Sequence, residues 1–456
     1  MKNKDRFDIA IVGLGYVGLS TSVCFATRGF SVLGIDVDKE KVKKLSSGKS
    51  VIHEYGLEQM LSQGIRSGRL VFEDKLSRNV ANSKFIFVTV GTPSKPDGEM
   101  ETKYVEKAIN DIGKNVSNDK FFQTVIIKST VLPGITSSLV KPTLEKQSGK
   151  KVGRDIGLCV NPEFLREGSA INDTMNPDAL VIGREDSKSE SEILQLYKKF
   201  YEELPPVIVT SFSNAEMIKY AVNSFRGVQL SYLNSLANLA NKLPGADIGE
   251  VIEGFAKITK VDNRYLRPGP GFGGSCLPKD MKAISALMKR MKVDPILLEA
   301  ALKVNATQPE IIVQMGEKEA GNLKGKKIAL LGLAYKGGTD DVRDSPSLQI
   351  AEVLLRKGAI VAAYDPAAIN KAREALHDRI YYSTSLEESL ENSELAIIAT
   401  DWKEFRMLKP DIFKKLMKKA IVIDTRRLLD TKAFKESKVR LVRIGTSNSK
   451  DAKGAN

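Results

Sequence analysis

One segment of the chain presents a cysteine thiol among residues that leave it open to a ligand. The run from Arg267 to Asp280 holds four glycines and three prolines in fourteen residues, so it cannot continue a helix or a central strand. Cys276 ends the glycine run, and its thiolate is able to add to an aldehyde. The alternative interpretation is that Cys276 is a small buried hydrophobic residue.

Two charged residues follow this cysteine closely in the sequence. Lys279 is able to stabilise an oxyanion or the thiolate, and Asp280 is able to hold a water molecule or act as a base. Either charge is equally consistent with the start of a helix, which is predicted to run from Asp280 to about Met291. The spacing alone leaves both interpretations open.

A second segment has the spacing of a dinucleotide-binding turn. An apolar strand from Phe7 to Val12 leads into Gly13-Leu14-Gly15-Tyr16-Val17-Gly18, a helical pattern follows, and the next strand ends at Asp36, 23 residues after Gly13. The glycines let a pyrophosphate approach the N–H groups at the start of the helix. Asp36 would bind ribose hydroxyls and repel a 2′-phosphate, which favours NAD over NADP. The alternative is a tight turn without a ligand.

An NAD site and a nucleophilic cysteine together indicate more than a simple alcohol dehydrogenase. A thiohemiacetal on Cys276 is able to give up a second hydride and become a thioester, which water then cleaves. The sequence therefore predicts an oxidation from alcohol to acid in two NAD-dependent steps.

The elements around these segments predict an α/β fold. Three later strands end in polar clusters, at Thr89–Pro93, Lys128–Thr130 and Asn161–Phe164. Ligands of doubly wound sheets bind outside the carboxyl ends of the strands, so we expect the three clusters to meet in one crevice. Each cluster taken alone is equally consistent with ordinary turn chemistry.

The middle of the chain is predicted to be helical. A long helix from Ala215 to about Leu243 places Lys219 and Asn223 on one face. Further amides in the same helix are consistent with a solvated stripe or with a stripe that lines a site; they are Asn234, Asn238 and Asn241. Pro244 and Gly245 end this helix, because neither favours a helix interior.

The last third of the chain returns to an α/β pattern, without a tight glycine turn. The predicted class is therefore α/β, with two Rossmann-like domains joined by a central all-helical region. The expected parts are an NAD-binding domain (1–210), a helical region with the cysteine loop (211–318), a Rossmann-like domain that binds something other than a second dinucleotide (319–444) and a disordered tail (445–456).

Composition excludes several function classes. The net charge of +14 comes from 70 Lys+Arg against 56 Asp+Glu, but no basic block is present, which favours a solvated surface and an anionic metabolite over nucleic acid. Three cysteines without a CxxC pair indicate no structural metal site and a reducing compartment. No apolar run approaches the length of a membrane span. We expect a cytoplasmic protein that binds neither nucleic acid nor membrane.

These motifs, in this order, resemble those of the UDP-glucose/GDP-mannose dehydrogenase family over about residues 1–440. The matching segments are Gly13–Gly18, Val90-Gly91-Thr92-Pro93, Lys128-Ser129-Thr130-Val131, Asn161–Gly168, Lys219 with Asn223, Gly271–Asp280, and Lys336 with Asp340–Arg343. The resemblance implies NAD as the cofactor, a nucleotide-sugar substrate, a two-step oxidation of its C6 alcohol to a carboxylate, and a homodimer or larger oligomer formed through the central helices.

The resemblance also implies roles for individual residues. Cys276 would be the nucleophile, Lys219 and Asn223 would stabilise an oxyanion, and Glu163, Asp280 and Thr130 would position or activate water. The expected cofactor-binding residues are Gly13, Gly15, Tyr16, Val17, Gly18, Asp36, Lys41, Thr92, Thr130, Glu167, Lys279 and Arg343. The expected substrate-binding residues are Glu163, Phe164, Leu165, Arg166, Lys219, Asn223, Arg267, Phe272, Gly273 and Lys336, and Arg343 is also expected near the diphosphate. No metal is expected.

The identity of the sugar is less strongly indicated. Ser275 and Lys279 match the branches that use UDP-glucose and GDP-mannose better than the N-acetylhexosamine branch, and UDP-glucose is the favoured substrate. GDP-mannose and a UDP-N-acetylhexosamine remain alternatives. An NAD-sensing protein and a two-electron 3-hydroxyacid dehydrogenase share parts of this plan, but neither needs Cys276.

Overall fold

The computed structural model describes residues 6–116, 121–261 and 266–447. They divide into two compact units, one that ends at Val222 and one that begins at Asn223. Each unit contains one sheet with helices, and further helices fill the middle of the chain. The predicted class, two Rossmann-like domains joined by a helical region, is confirmed.

An eight-stranded sheet forms the centre of the first unit. Its strands are β1 (Phe7–Val12), β2 (Val32–Ile35), β3 (Leu70–Glu73), β4 (Ser83–Val88), β5 (Thr124–Ile127), β6 (Gly157–Val160), β7 (Leu180–Gly183) and β8 (Val207–Thr210). Their order is β3-β2-β1-β4-β5-β6-β7-β8, and the first six are parallel, whereas β6 and β7 are antiparallel. Strands β1, β2, β4, β5 and β6 are almost wholly apolar, as expected of parallel strands covered on both faces.

Helices cover this sheet and pack on it through aromatic side chains. Phe25 contacts Phe87, Phe200 and Tyr197, with ring centroids 4.6–6.4 Å apart. The helices are α1 (Tyr16–Thr27), α2 (Lys39–Ser46), α3 (Leu57–Arg66), α4 (Arg78–Ala81), α5 (Lys103–Asn115), α6 (Lys141–Ser148), α7 (Ala170–Met175) and α8 (Ser187–Phe200). One π-helical turn, Thr136–Val140, precedes α6. The long helix α9 (Phe212–Ala240) contains the boundary between the units.

A six-stranded, wholly parallel sheet forms the centre of the second unit. Its strands are β9 (Lys327–Leu331), β10 (Ile360–Tyr364), β11 (Tyr381–Tyr382), β12 (Leu395–Ile398), β13 (Ile421–Asp424) and β14 (Arg440–Arg443). Their order is β11-β10-β9-β12-β13-β14, in which β9 and β10 take the places that β1 and β2 take in the first sheet. The topology therefore repeats the dinucleotide-binding arrangement, as expected from the sequence.

The helices of the second unit fall into two groups. Three long ones belong to the middle of the chain: α10 (Ile248–Thr259), α11 (Leu277–Arg290) and α12 (Ile296–Ala320). The others flank the sheet: α13 (Pro346–Arg356), α14 (Ile369–Leu376), α15 (Leu386–Leu390), α16 (Pro410–Leu416) and α17 (Thr431–Lys435), with 3₁₀ turns at His377–Arg379 and Glu404–Met407. None of the helices in the described ranges combines the length and apolar character needed to span a bilayer.

Element boundaries differ from the predicted ones at three places. Helix α9 begins at Phe212 and ends at Ala240, three residues earlier at each end than expected. Helix α11 begins directly after Cys276 rather than at Asp280, because Pro278 lies in its first turn, where its missing N–H costs nothing. Residues 445–447 of the predicted tail are instead bonded to the fold, because the amide of Gly445 donates to Asn241 and that of Ser447 to Ala246. The rest of that tail, 448–456, lies outside the described residues.

Candidate active site

The turn between β1 and α1 leaves space for a ligand at one of its three glycines. A Cβ added to Gly13, whose φ is +97°, would lie 2.8 Å from the amide nitrogen of Val90, and one added to Gly18 would lie 1.8 Å from the carbonyl oxygen of Gly13. Gly15 is exposed, and a Cβ added there meets nothing within 4 Å. Two glycines therefore close the turn, and the third leaves its outer side open.

The start of α1 fits an anionic group. Gly15 is its N-cap residue and has no side chain to accept from the first N–H groups, and the first turn contains no acidic residue. Uncapped N–H groups and the helix dipole both favour a pyrophosphate. The residues present therefore fit the phosphates of a dinucleotide.

Asp36 lies at the end of β2, where a ribose would be recognised. One carboxylate oxygen, Oδ2, accepts from the amide of Leu14 at 2.8 Å and from Lys41 Nζ at 2.7 Å. Oδ1 accepts only from the amide of Asp38, at 3.1 Å, among the contacts of the described residues. Carboxylate oxygens hold two lone pairs each, so Oδ1 retains capacity for a ribose hydroxyl.

Two of the three predicted polar clusters meet the glycine turn at the carboxyl ends of β1, β4 and β5. The hydroxyl of Thr89 donates to the carbonyl of Gly13 at 2.6 Å, which joins the first two loops. The hydroxyl of Thr92 donates to the carbonyl of Thr130 at 2.9 Å, and that of Ser129 donates to Val90 at 2.7 Å. Thr92 and Thr130, both expected near the cofactor, are therefore held in one hydrogen-bonded group.

A buried ion pair joins the loop after β6 to helix α9. Lys219 Nζ lies 3.0 Å from Glu163 Oε1, and their side chains are only 4% and 6% exposed. Burial alone would raise the pKa of Glu163. The ammonium of Lys219 and the Leu165 amide, which donates to Oε2 at 2.6 Å, outweigh burial, so the pKa of Glu163 lies below its ordinary value. Glu163 is thus a carboxylate at neutral pH.

A second buried lysine in this region is absent from the predicted site. Lys128 follows β5 directly, and its Nζ donates to Asn161 Oδ1 at 3.0 Å, where Tyr197 also donates its hydroxyl proton. Burial lowers the pKa of Lys128 to about 8, and the nearby positive charge of Lys219 adds to the effect, which Glu163 opposes. Lysines are usually exposed, whereas a position directly after a buried strand favours burial. That position in the sequence could have identified Lys128 as a residue of the site.

The cysteine of the glycine-rich loop begins a helix in the second unit. Cys276 is half-buried and is the N-cap residue of α11, where the helix dipole favours negative charge on the sulfur. Asp280, one turn later, is almost fully buried and accepts from Asn223 Nδ2 at 2.7 Å and from Lys279 Nζ at 2.5 Å. Lys279, Asp280 and Asn223 therefore form one hydrogen-bonded group.

Two of the three amides predicted in this segment, Asn234 in helix α9 and Asn241 directly after it, hold backbone segments. Asn234 Oδ1 accepts from the amide of Gly269 at 2.8 Å, at the start of the glycine-rich loop, and Asn241 accepts from Gly445 at 2.7 Å. Further along the loop, the amide of Gly274 donates to the carbonyl of Arg343 at 2.8 Å. The glycine-rich loop is thus fixed by bonds to its backbone, a function that no residue spacing in the sequence indicates.

The remaining predicted residues have varied surroundings. In the first unit, Tyr16 donates its hydroxyl proton to the carbonyl of His53, Phe164 lies with its ring centroid 5.4 Å from Lys219 Nζ, Arg166 pairs with Asp173, and Val17 and Glu167 are half-buried.

In the second unit, Arg267 is exposed, Phe272 and Gly273 are buried, Lys336 is half-buried beside Tyr335, and Arg343 pairs with Asp341. Arg166 and Arg343 therefore each have a carboxylate partner already.

Sequence models of one family match all three parts of the chain. The NAD binding domain of the UDP-glucose/GDP-mannose dehydrogenase family matches residues 7–201, its central domain matches 213–307, and its UDP binding domain matches 329–431. The chain belongs to this family. NAD is therefore its cofactor, and the open glycine and the acid after β2 are consistent with that assignment.

Relatives of known activity cover nearly the whole chain. A UDP-glucose 6-dehydrogenase of Rickettsia typhi is 36% identical over 441 residues, which are 96% of this chain and 99% of the relative. A UDP-glucose dehydrogenase from Pyrobaculum islandicum has a similar structure, with a TM-score of 0.87, 36% identity, and coverage of 97% of this chain and 98% of that one. A UDP-D-ManNAc dehydrogenase from Pyrococcus horikoshii has a TM-score of 0.83, 30% identity, and coverage of 96% and 99%. This member of the family is a nucleotide-sugar dehydrogenase.

Alanine substitutions at two glycines of the turn are expected to have different effects on this dehydrogenase. In Gly18→Ala the new methyl group would overlap the carbonyl of Gly13, so we expect a fall in Tm of several degrees, equivalent to about 1–3 kcal/mol of overpacking. Gly15→Ala has room for its methyl group and should keep the parental Tm, but NAD binding should weaken at least about tenfold, because the methyl occupies the approach to the helix start. Thermal unfolding and NAD titration separate the two effects; a parental Tm for Gly18→Ala would contradict the prediction.

The buried ion pair predicts a pH-dependent loss of stability in Lys219→Met. The depressed pKa of Glu163 stabilises the parent above the ordinary glutamate pKa of about 4.3, and that stability is lost as the pH falls below it. Without the ammonium of Lys219, burial dominates and raises this pKa, so the variant should be about 3–5 kcal/mol less stable at neutral pH and progressively less impaired toward pH 5. Urea unfolding across pH measures the difference.

Two further variants serve as controls for that measurement. Lys219→Met combined with Glu163→Gln removes the uncompensated charge, so its stability should lose this pH dependence. Lys141→Met breaks only a half-exposed pair with Glu185 and should cost less than about 1 kcal/mol. A Lys219→Met loss that is the same at pH 5 and pH 7 would show that packing, not charge, dominates.

Proposed function

We propose that the protein oxidises the C6 alcohol of UDP-glucose to the carboxylate in two steps through a thioester on Cys276. The observation that carries the proposal is the setting of its three cysteines. Cys276 begins α11 at the end of the glycine-rich loop, whereas Cys24 and Cys159 are fully buried. Burial raises the pKa of both buried thiols, that of Cys24 to about 12, so neither is suited to act as a nucleophile.

The chemistry divides into four bond changes. The C6 alcohol loses a proton and a hydride and becomes an aldehyde, and Sγ of Cys276 then adds to the aldehyde carbon to form a thiohemiacetal. Loss of a second hydride from C6 and of the hydroxyl proton converts the thiohemiacetal into a thioester. Water cleaves the C–S bond, which releases the carboxylate and restores the thiol. NAD, when bound, supplies the hydride acceptor for both oxidations.

Two residues of helix α9 carry the expected role of stabilising negative charge on the C6 oxygen. Lys219 supplies a buried ammonium whose charge is held by Glu163, and Asn223 supplies an amide donor whose position is fixed by Asp280. Donors that are already oriented lose little reorganisation energy when charge develops on the oxygen. This arrangement supports the assignment of both residues as oxyanion ligands.

Hydrolysis of the thioester needs a base and an ordered water molecule. The pKa of Glu163 is held below its ordinary value, so it is able to accept a proton at neutral pH. Thr130 and Asp280 are assigned to hold the water. The carboxylate of Asp280 already accepts hydrogen bonds from Asn223 and Lys279. We therefore assign the base to Glu163.

UDP-glucose is the proposed substrate because relatives named as UDP-glucose 6-dehydrogenases match 92–96% of the chain. Lys336 and Arg343 are assigned to the diphosphate, since cations at that position would pair with its charge. The similarity to the UDP-D-ManNAc dehydrogenase from Pyrococcus horikoshii makes a UDP-N-acetylhexosamine the second candidate.

A count of NADH per sugar tests the proposed oxidation. The purified protein is incubated with limiting UDP-glucose, GDP-mannose or UDP-N-acetylmannosamine in excess NAD. We expect two NADH per UDP-glucose, because the alcohol passes through the aldehyde to the acid. Cys276→Ser should form no acid and keep parental NAD binding, and Cys24→Ala should retain acid formation. One NADH per sugar, or parental acid formation by Cys276→Ser, would contradict the thioester route.

We also propose that the protein is a homodimer formed through helix α9. Phe225, Tyr232 and Leu239 are 65%, 54% and 52% exposed and recur every seven residues, so they lie on one face of the helix. A stripe of large apolar side chains on the surface is typical of an interface. A second copy of the chain is the proposed partner, and a cytoplasmic location remains our prediction.

Light scattering tests the proposed dimer. Tyr232→Asp places a charge in the middle of the apolar stripe, so we expect the parental dimer mass to fall to that of a monomer at micromolar concentration. Met407→Asp changes an even more exposed apolar residue on another segment and should keep the dimer mass. A dimer that persists in Tyr232→Asp would contradict an interface on this face.

A further inference from the structure

One side chain of helix α12 pairs with the backbone of the glycine-rich loop at two points. The amide of Phe272 donates to Asn305 Oδ1 at 2.7 Å, and Asn305 Nδ2 donates to the carbonyl of Phe272 at 2.9 Å. A neighbouring β-strand satisfies a residue in the same way, with one donor and one acceptor. The carboxamide of Asn305 therefore fixes both polar groups of one loop residue.

The surroundings of this pairing leave little freedom for the loop. Gly271 has φ of +115°, and a Cβ there would lie 2.9 Å from Asn305 Oδ1, so only glycine fits beside the carboxamide. The ring of Phe272 is buried in a cluster with Met281 and Ala301. Water has no easy access to the backbone of Phe272, so loss of the carboxamide would leave polar groups unsatisfied.

The helix itself is unusual at this point. Pro309 lies inside α12 and has no N–H, so it cannot donate the helical hydrogen bond to the carbonyl of Asn305. A Cβ on Gly271 would also lie 3.4 Å from that same carbonyl. The glycine-rich loop thus passes the helix where the regular hydrogen-bond ladder is broken.

The pairing lies four residues before the cysteine. A second fixed point follows at Gly274, whose amide donates to Arg343, and Gly273 has no space for a side chain against the carbonyl of Asp344. Cys276 then begins α11. The backbone of residues 273–275 is therefore held at one end by the pairing at Phe272 and at the other end by the start of α11.

We propose that Asn305 is a positioning residue for the nucleophile: its two hydrogen bonds to Phe272 hold the glycine-rich loop in the conformation that presents Cys276. The kinetic consequence rests on the proposed role of Cys276. Asn305 does not itself touch the reacting atoms in this account. Its effect should appear as a loss in kcat and a change in thiol accessibility, and NAD affinity should not change.

Asn305→Asp gives a test that a merely structural role would not pass. The introduced carboxylate still accepts from the amide of Phe272, but it has no proton to donate and repels the Phe272 carbonyl. Protonation at low pH restores the donor, so function should be recovered at low pH and lost as the pH rises through the pKa of the introduced carboxyl. Charged groups on the adjoining segments are common to parent and variant and cancel in their ratio; they are Lys279, Asp280, Lys303, Glu310, Arg343 and Arg356.

The experiment compares purified Asn305→Asp with the parent between about pH 5 and about pH 8. We expect the ratio of variant to parental kcat to fall about tenfold over this range, the equivalent of one net hydrogen bond. Asn241→Asp makes the same chemical change at an amide that holds Gly445 and should give a constant ratio. A constant ratio for Asn305→Asp would overturn the proposal.

Alkylation of the thiols by iodoacetamide provides a readout that needs no turnover. The ratio of variant to parental alkylation rate at Cys276 should rise several-fold from low to high pH as the loop is released, while the buried Cys24 and Cys159 stay unreactive and report an intact fold. An alkylation ratio that does not change with pH would overturn the positioning role. If the parent shows no dehydrogenase activity but the alkylation ratio rises, the proposed function fails and the positioning of the loop stands.

Discussion

The cost of burying a charge is the constraint on which the first unit depends. Glu163 is held and buried in the loop after β6, and its carboxylate is stable there because Lys219 lies 3.0 Å away and the amide of Leu165 donates to it. The pair therefore fixes one turn of α9 against the carboxyl ends of the strands. A carboxylate and an ammonium are also what an oxidation with hydrolysis needs, so one interaction accounts for both the local fold and the proposed chemistry.

The second unit meets a different constraint, which is to hold a loop in which four of fourteen residues are glycines. Glycines cannot anchor themselves by packing, so the loop depends on hydrogen bonds to its backbone from Asn234, Asn305 and the carbonyl of Arg343. Asn234 and Asn305 belong to the long helices α9 and α12. The thiol of Cys276 thus gains a fixed position from a segment whose composition alone suggests freedom.

Much of this architecture follows from the sequence because it rests on local rules. The strand, glycine turn and acid of residues 7–36 specify a nucleotide fold at short range, and the five strands predicted above for the first unit lie at their apolar runs. The glycine-rich loop was recognisable for the same reason. Pro278 moved the start of α11 next to Cys276, which a closer reading of helix starts would have predicted.

The features of the structure that the sequence did not predict depend on contacts between residues far apart in the chain. Asn305 is an ordinary amide in a helix sequence, and its pairing with Phe272, 33 residues earlier, has no local signal. Lys128 and Asn161 lie in two of the matching motifs. The hydrogen bond between them forms because they follow neighbouring strands, although they are 33 residues apart in the chain. Sequence patterns identify which residues have useful chemistry; three-dimensional packing decides which of them hold the others in place.

The central claim is that Cys276 keeps the sugar covalently bound between the two oxidations. The most direct test is peptide mass spectrometry of Glu163→Gln after incubation with UDP-glucose and NAD, since loss of the proposed base should slow hydrolysis and let the thioester accumulate. We predict a uronyl adduct of the nucleotide-sugar on the peptide that contains Cys276. Release of NADH with no adduct on that cysteine would contradict it.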